Sequence, residues 1–159
     1  MEKSVFNDFD ELKNVFSGGT LVRILKEGTS NIPDVPGVYF ITKKIDEPAS
    51  FLKIGTGGHF KDKDPNVEIT ELSSNWVNDT IVVYIGKATS LKRRLRQYMQ
   101  FGKGKKIGHW GGRYIWQLSY ADDLQVWWFP TDRPRDLEQR LIAEFKKEYG
   151  KRPFANLVD

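Results

Sequence analysis

The run Ile81-Val82-Val83-Tyr84-Ile85 restricts the fold of this chain more than any other stretch. Four of its five residues are β-branched, a composition that suits a pleated strand, and Gly86 closes it. Just beyond, Thr89 or Ser90 offers a side-chain oxygen to cap a helix running to about Gln100. A strand leading directly into a capped helix is therefore the unit around which the other elements have to fit.

Those elements follow from spacing and punctuation. Phe6, Phe9, Leu12, Val15 and Phe16 recur at helical intervals, predicting a short amphipathic helix over 4–16 that Gly18-Gly19 stops. A polar, proline-containing stretch from Gly28 to Pro36 leads into Gly37-Val38-Tyr39-Phe40-Ile41-Thr42, a second strand. Phe51–Ile54 predicts a short strand, and Gly55–Asn66 a loop. A glycine-punctuated basic loop spans Phe101–Gly112, with further strands predicted near Arg113–Leu118 and Leu124–Phe129. Pro134 suits the first turn of a last helix that ends before Gly150. The order predicts an α+β fold, a small, mainly antiparallel β-sheet flanked by helices. At 159 residues the length suits a single domain.

Composition removes several chemistries. Without cysteine there is no disulfide framework, thiolate zinc site or cysteine nucleophile. His59 and His109 stand far apart in sequence and do not suggest a metal cluster. No apolar leader or membrane-length run occurs, so a cytoplasmic protein without a membrane partner is expected.

Charge is unevenly placed. From Gly86 to Arg113 there are nine positive residues, Lys87, Lys92, Arg93, Arg94, Arg96, Lys103, Lys105, Lys106 and Arg113, and no Asp or Glu. Since the whole chain is net +4, everything outside this stretch is net −5. Such a block draws a polyanion to one place, unless it is simply a solvated helix face.

Two charged residues sit where a helical wheel makes them informative. On the helix over 90–100, Leu91, Leu95 and Tyr98 form an apolar stripe with Met99 at its edge. Lys92, Arg93 and Arg96 lie away from it, whereas Arg94 flanks it and should emerge along the sheet's rim, or snorkel over the core. On the last helix, Leu137, Leu141, Ile142, Phe145 and Tyr149 define the buried face, and Glu138 falls inside it. Glu144 and Glu148 lie toward its edge, so the wheel by itself does not single out Glu138. A carboxylate inside that face has to be protonated, paired with a cation or bound to a metal.

The strands now stand in a familiar relation to these residues. Gly37-Val38-Tyr39 and Tyr84-Ile85-Gly86 resemble the two motifs that name the GIY-YIG nuclease superfamily. The continuation Tyr84-Ile85-Gly86-Lys87-Ala88, Leu91, Arg94-Leu95 and Tyr98 is similar to the nuclease domain in the incision subunit of bacterial nucleotide excision repair. So are Leu137-Glu138, Leu141-Ile142 and Pro153-Phe154-Ala155-Asn156 near the end of the chain. The resemblance covers about residues 36–157. It leaves 1–35 as an N-terminal extension and makes 45–79 an insertion between strands that usually form a tight hairpin, which has to fold out and return without disturbing their pairing.

The resemblance implies a metal-dependent endonuclease, with DNA the expected substrate and DNA repair one setting. Glu138 would hold one Mg2+ or Mn2+, and Arg94 would stabilise the transition-state charge. Tyr84 or Tyr39 would accept the proton of the attacking water, with Tyr84 preferred. Lys87 and Arg94 nearby would favour the phenolate, or Lys87 would bind the phosphate directly. Tyr98 and Asn156 would orient the others. Lys92, Arg93, Arg96, Lys103, Lys105 and Lys106 would hold phosphates away from the scissile bond, together with His109, Trp110 and Arg113, of which Trp110 would stack on an exposed base or belong to the core. A protein partner would supply specificity, since no separate DNA-reading domain is recognisable. The competing readings are a non-catalytic nucleic-acid-binding module and a protein-interaction domain.

Two further signals fail on their own terms. Gly55-Thr56-Gly57-Gly58 lacks the Gly-Lys-Ser/Thr that completes a phosphate loop. Asp62, Asp64, Asn66 and Glu68 alternate like a calcium loop, but Val67 takes the glycine position and no Glu closes it at Ser73.

Overall fold

The computed structural model describes residues 2–158. Four strands, β1 (Ser17–Leu21), β2 (Gly37–Thr42), β3 (Val82–Ala88) and β4 (Gln125–Pro130), form one antiparallel sheet in the order β1-β4-β2-β3. The helices are α1 (Phe9–Lys13), α2 (Val22–Leu25), α3 (Ile69–Asn75), α4 (Leu91–Gly102) and α5 (Pro134–Tyr149). The fold is α+β, as the sequence predicts.

The two faces of the sheet bury separate clusters. One holds Tyr39, Ile41, Tyr84, Val126 and Trp128 against Leu91, Leu95 and Tyr98 of α4 and against Tyr114–Trp116. The other holds Val38, Phe40, Val82, Ile85 and Trp127 against Leu141, Ile142 and Phe145 of α5 and Phe6, Leu12 and Phe16 of the N-terminal segment. Alternate side chains of β2 thus feed opposite cores, so all six of its residues are buried.

α4 begins at Ser90, whose hydroxyl accepts from the Arg93 N–H at 3.2 Å. The Ser90 hydroxyl in turn donates to Asp34, which ties the start of α4 to the segment entering β2. α5 starts with Pro134 in its first turn and ends at Gly150. Both helices therefore have the expected limits within two residues.

Several expectations fail. The N-terminal helix is only Phe9–Lys13, capped by Asp8, and Val15 is half exposed rather than part of an apolar stripe. Gly18 and Gly19 do not end the structure; they form the middle of β1, with φ of 105° and 78° and a register shift against β4. Trp128 and Trp127 lie directly against them, so that a Cβ at Gly18 would come within 2.7 Å of the Trp128 ring and one at Gly19 within 2.8 Å of Trp127. Bare backbone is what lets β1 cross two large rings.

Residues 113–118 make a 3-10 turn (Arg113–Gln117) rather than a strand. Tyr114, Ile115, Trp116 and Gln117 are all buried, an all-round burial a turn satisfies and a half-buried strand does not. Phe51–Ile54 likewise adds only one bridge, Phe51 to Leu118. The insertion over 45–79 does not project from the body. Gln117 draws it in, accepting from the Val67 N–H at 2.9 Å and donating to the carbonyls of Val67 (3.0 Å) and Leu52 (3.1 Å). The β2–β3 pairing is preserved, with a single irregularity at Ile41/Thr42 where the insertion departs.

Candidate functional site

Register places the two tyrosines. Tyr39 on β2 faces Gly86 on β3 and Ile41 faces Tyr84, so both tyrosines project from the α4 face of the sheet, diagonal to each other. Their rings meet edge to face with centroids 5.9 Å apart. Gly86 makes room for this: a Cβ there would overlap the Tyr39 ring. Lys87, the next residue, points to the opposite face, where α5 presents Glu138; Lys87 Nζ lies 3.3 Å from Glu138 Oε1. Arg94 comes from the first turn of α4, half-buried at the edge of its apolar stripe.

These side chains line one cleft of about 220 Å3, with Tyr39, Tyr84, Lys87, Arg94, Glu138 and Asn156 in its walls together with Gly111 and Ile142. The sequence therefore named six residues that five separate segments bring together. Asn156 has a backbone task as well. Its side-chain amide donates to the Ile85 carbonyl at 2.8 Å and accepts the Ile85 N–H at 3.0 Å, while Ala155 N–H meets Val83 O at 2.8 Å. Tyr98 stands behind the cleft, fully buried, its hydroxyl donating to Gly112 O at 2.6 Å.

The electrostatics of the tyrosines differ from expectation. Burial pushes Tyr84 up to about 12; the bond from Tyr39 and the positive charge of Arg94 act the other way but are smaller. Tyr39 is raised well above the ordinary tyrosine value, first by burial and then by the neighbouring Tyr84, against the opposing pull of Arg94. Tyr98 is raised well above it too, again first by burial. The phenols are thus neutral at physiological pH, and Lys87, engaged with Glu138, does not lower them as the sequence suggested.

The basic block divides. Arg93, Arg96, Lys103, Lys105 and Lys106 are exposed, and Lys92 is half-buried. Lys103 Nζ also donates to the Lys26 carbonyl at 3.3 Å. His109 is a correction: it is fully buried, stacked on Tyr98 with centroids 3.9 Å apart, and sits 3.3 Å from the Tyr39 hydroxyl through Nε2, so it is enclosed rather than offered to a nucleic acid. Trp110 and Arg113 are engaged with each other. The Arg113 guanidinium lies 4.8 Å from the Trp110 ring centroid and donates to the Trp110 carbonyl at 3.3 Å, which occupies one face of the indole. A histidine within Gly108-His109-Trp110-Gly111-Gly112 was the available signal, since closely spaced glycines allow a loop to lie flat against a neighbouring side chain.

Among the described residues no helix is long and apolar enough to cross a membrane. Compared with family models, with curated proteins and with solved structures, the chain finds no match in any of the three.

Proposed function

We propose that this protein is a metal-dependent endonuclease that hydrolyses phosphodiester bonds in nucleic acid, with DNA as its substrate. The observation that carries this reading is the convergence on one cleft of two tyrosines, an arginine, a lysine, a carboxylate and an asparagine. That inventory matches what phosphodiester hydrolysis requires: a proton acceptor for water, positive charge at phosphorus and an oxygen ligand for a cation.

A divalent cation fits the residues present. Glu138 is a hard oxygen donor, its side chain 12% exposed, on a cleft with room for a phosphate oxygen and water. Among the described residues no three acidic or histidine side chains are grouped to cage a metal. The fit is to Mg2+ or Mn2+ held by one carboxylate and completed by water and substrate. Once bound, the ion supplies Lewis-acid charge at the phosphate. Lys87 orients the Glu138 carboxylate and presents its ammonium to the same phosphate. Arg94 pairs its N–H groups with the oxygens on which charge accumulates. The fraction of Tyr84 present as phenolate accepts the water's proton at its oxygen and becomes the neutral phenol. Arg93, Arg96, Lys105 and Lys106 hold neighbouring phosphates, giving salt-dependent affinity without sequence reading.

The test is nicking of supercoiled plasmid with Mg2+ or Mn2+ beside Glu138→Ala. Nicking by the wild type alone supports the reading. Equal background in both defeats it, and a salt-dependent DNA shift without cutting would make the protein a binding module instead.

A further inference from the structure

His109 is a polar side chain in contact with Tyr39 and Tyr98 that this mechanism leaves unused. Its side chain is fully buried, its ring lies flat on Tyr98, and its Nε2 is 3.3 Å from the Tyr39 hydroxyl. Nδ1 is buried and meets no partner. Tyr98 has already given its own proton to the Gly112 carbonyl, so it competes for neither ring nitrogen.

Proton counting then fixes the direction of the contact. Burial and the Arg94 charge hold the imidazole neutral; the residue's own carbonyl acts in the opposite sense but does not reach Nδ1 at hydrogen-bond geometry. A neutral ring carries one N–H. Placing it on Nδ1 would bury a donor with no acceptor, whereas an unpaired lone pair there costs less. The proton therefore belongs on Nε2, which donates to the Tyr39 oxygen. Tyr39 must send its own proton elsewhere, and the hydroxyl within reach is that of Tyr84. An interaction between the two phenols lowers Tyr84 and raises Tyr39, although in this structure it falls short of strict hydrogen-bond geometry.

We infer that His109 is a positioning residue that sets the order of a hydrogen-bond chain, Nε2–H to Tyr39 and Tyr39 O–H to Tyr84. Tyr84 is thereby left as the phenol that, once deprotonated, accepts the proton of water in the cleft. The role in catalysis rests on the nuclease reading above; the direction of the chain does not. It also decides between the two tyrosines, because Tyr39, already accepting from His109, is the donor of the pair. The loop carrying His109 thus belongs to the site from behind, through a residue that substrate never touches.

Two measurements separate the inference from that reading. In the ring 15N spectrum of the wild-type protein, the buried histidine should show the neutral tautomer protonated at Nε2. An Nδ1-protonated ring or an imidazolium overturns the inference whether or not the protein cuts DNA. In single-turnover nicking at saturating protein, His109→Phe keeps the stacked ring but removes the donor. It should slow cleavage by about 10- to 100-fold with DNA affinity unchanged, and His109→Gln, which retains an N–H, should recover much of the loss. Cleavage by a folded His109→Phe at the wild-type rate overturns it. Should that variant fail to fold, His109→Gln and the ring spectrum decide. Absence of nicking by wild type defeats the nuclease reading, while the spectrum still decides the hydrogen-bond direction.

Discussion

The cleft has two unlike walls. On the α4 side, Tyr39, Tyr84, Tyr98 and His109 are buried and neutral, and each is shifted first by loss of water. On the α5 side, Lys87 and Glu138 are charged, partly exposed and matched to each other at 3.3 Å. Arg94 lies between, close enough to oppose the burial effect on both cleft tyrosines. The dry wall stores protons that are hard to remove and the wet wall supplies charge. Two adjacent residues on β3 achieve this because successive side chains of a strand face opposite sides: Gly86 accommodates Tyr39 on one, and Lys87 reaches Glu138 on the other.

Removing charge from the wet wall, or from Arg94 between the walls, should have the largest effect. Glu138→Gln and Arg94→Met should each lower plasmid nicking by about 10²–10³ with little change in the thermal midpoint. Unchanged nicking in Glu138→Gln would make the Lys87 pair a structural contact only.

The dry wall comes next. Tyr84→Phe should cost about 10² in rate. Because burial holds Tyr84 near 12, its phenolate fraction at neutral pH is small and rises tenfold with each unit. Wild-type nicking should therefore climb with a slope near one over about pH 6–9, and Tyr84→Phe should lose that slope. A flat wild-type profile would move the proton acceptor to another group.

The fit between the walls is tested at Gly86. Alanine there would force the Tyr39 ring aside, and the overpacking should cost about 1–3 kcal/mol, read as a drop of several degrees in thermal midpoint. A neutral effect would mean that the ring is free to move and that the dry wall is loosely set.

The smallest effect concerns acid. His109 is held below the usual histidine value of 6.5, chiefly by burial, so the unfolded chain takes up a proton there that the folded protein refuses. Stability contributed by the neutral ring is intact above about pH 6.5 and declines as pH falls below it. The thermal midpoint of His109→Gln should fall less between about pH 7 and pH 5 than that of the wild type.

The wet wall was legible in the sequence and the dry wall only half so. Glu138 is a carboxylate among Leu137, Leu141 and Ile142, separated from Glu144 and Glu148 at the edge of the same face only by the motif resemblance, and Arg94 is marked by flanking Leu91 and Tyr98. The strand over Ile81–Ile85, the Ser90 cap and the Pro134–Gly150 limits are local signals and hold locally. What was hidden depends on distant partners. Gly18-Gly19 looks like a stop until Trp127 and Trp128 are beside it. Residues 113–118 have strand composition, yet Gln117 binds the insertion and the segment turns. His109 is marked only by the glycines around it, and its partner is a tyrosine 70 residues away.

One amide has a consequence beyond the cleft. β3 is the last strand of the sheet, and such an edge invites a strand from another molecule to continue the ladder. Asn156 occupies both the donor and the acceptor of Ile85, and Ala155 takes the Val83 carbonyl. Three of the groups that could template growth on this edge are already satisfied by these two residues. The same side chain that lines the cleft thereby blocks the centre of the β3 edge against pairing with a strand of another copy.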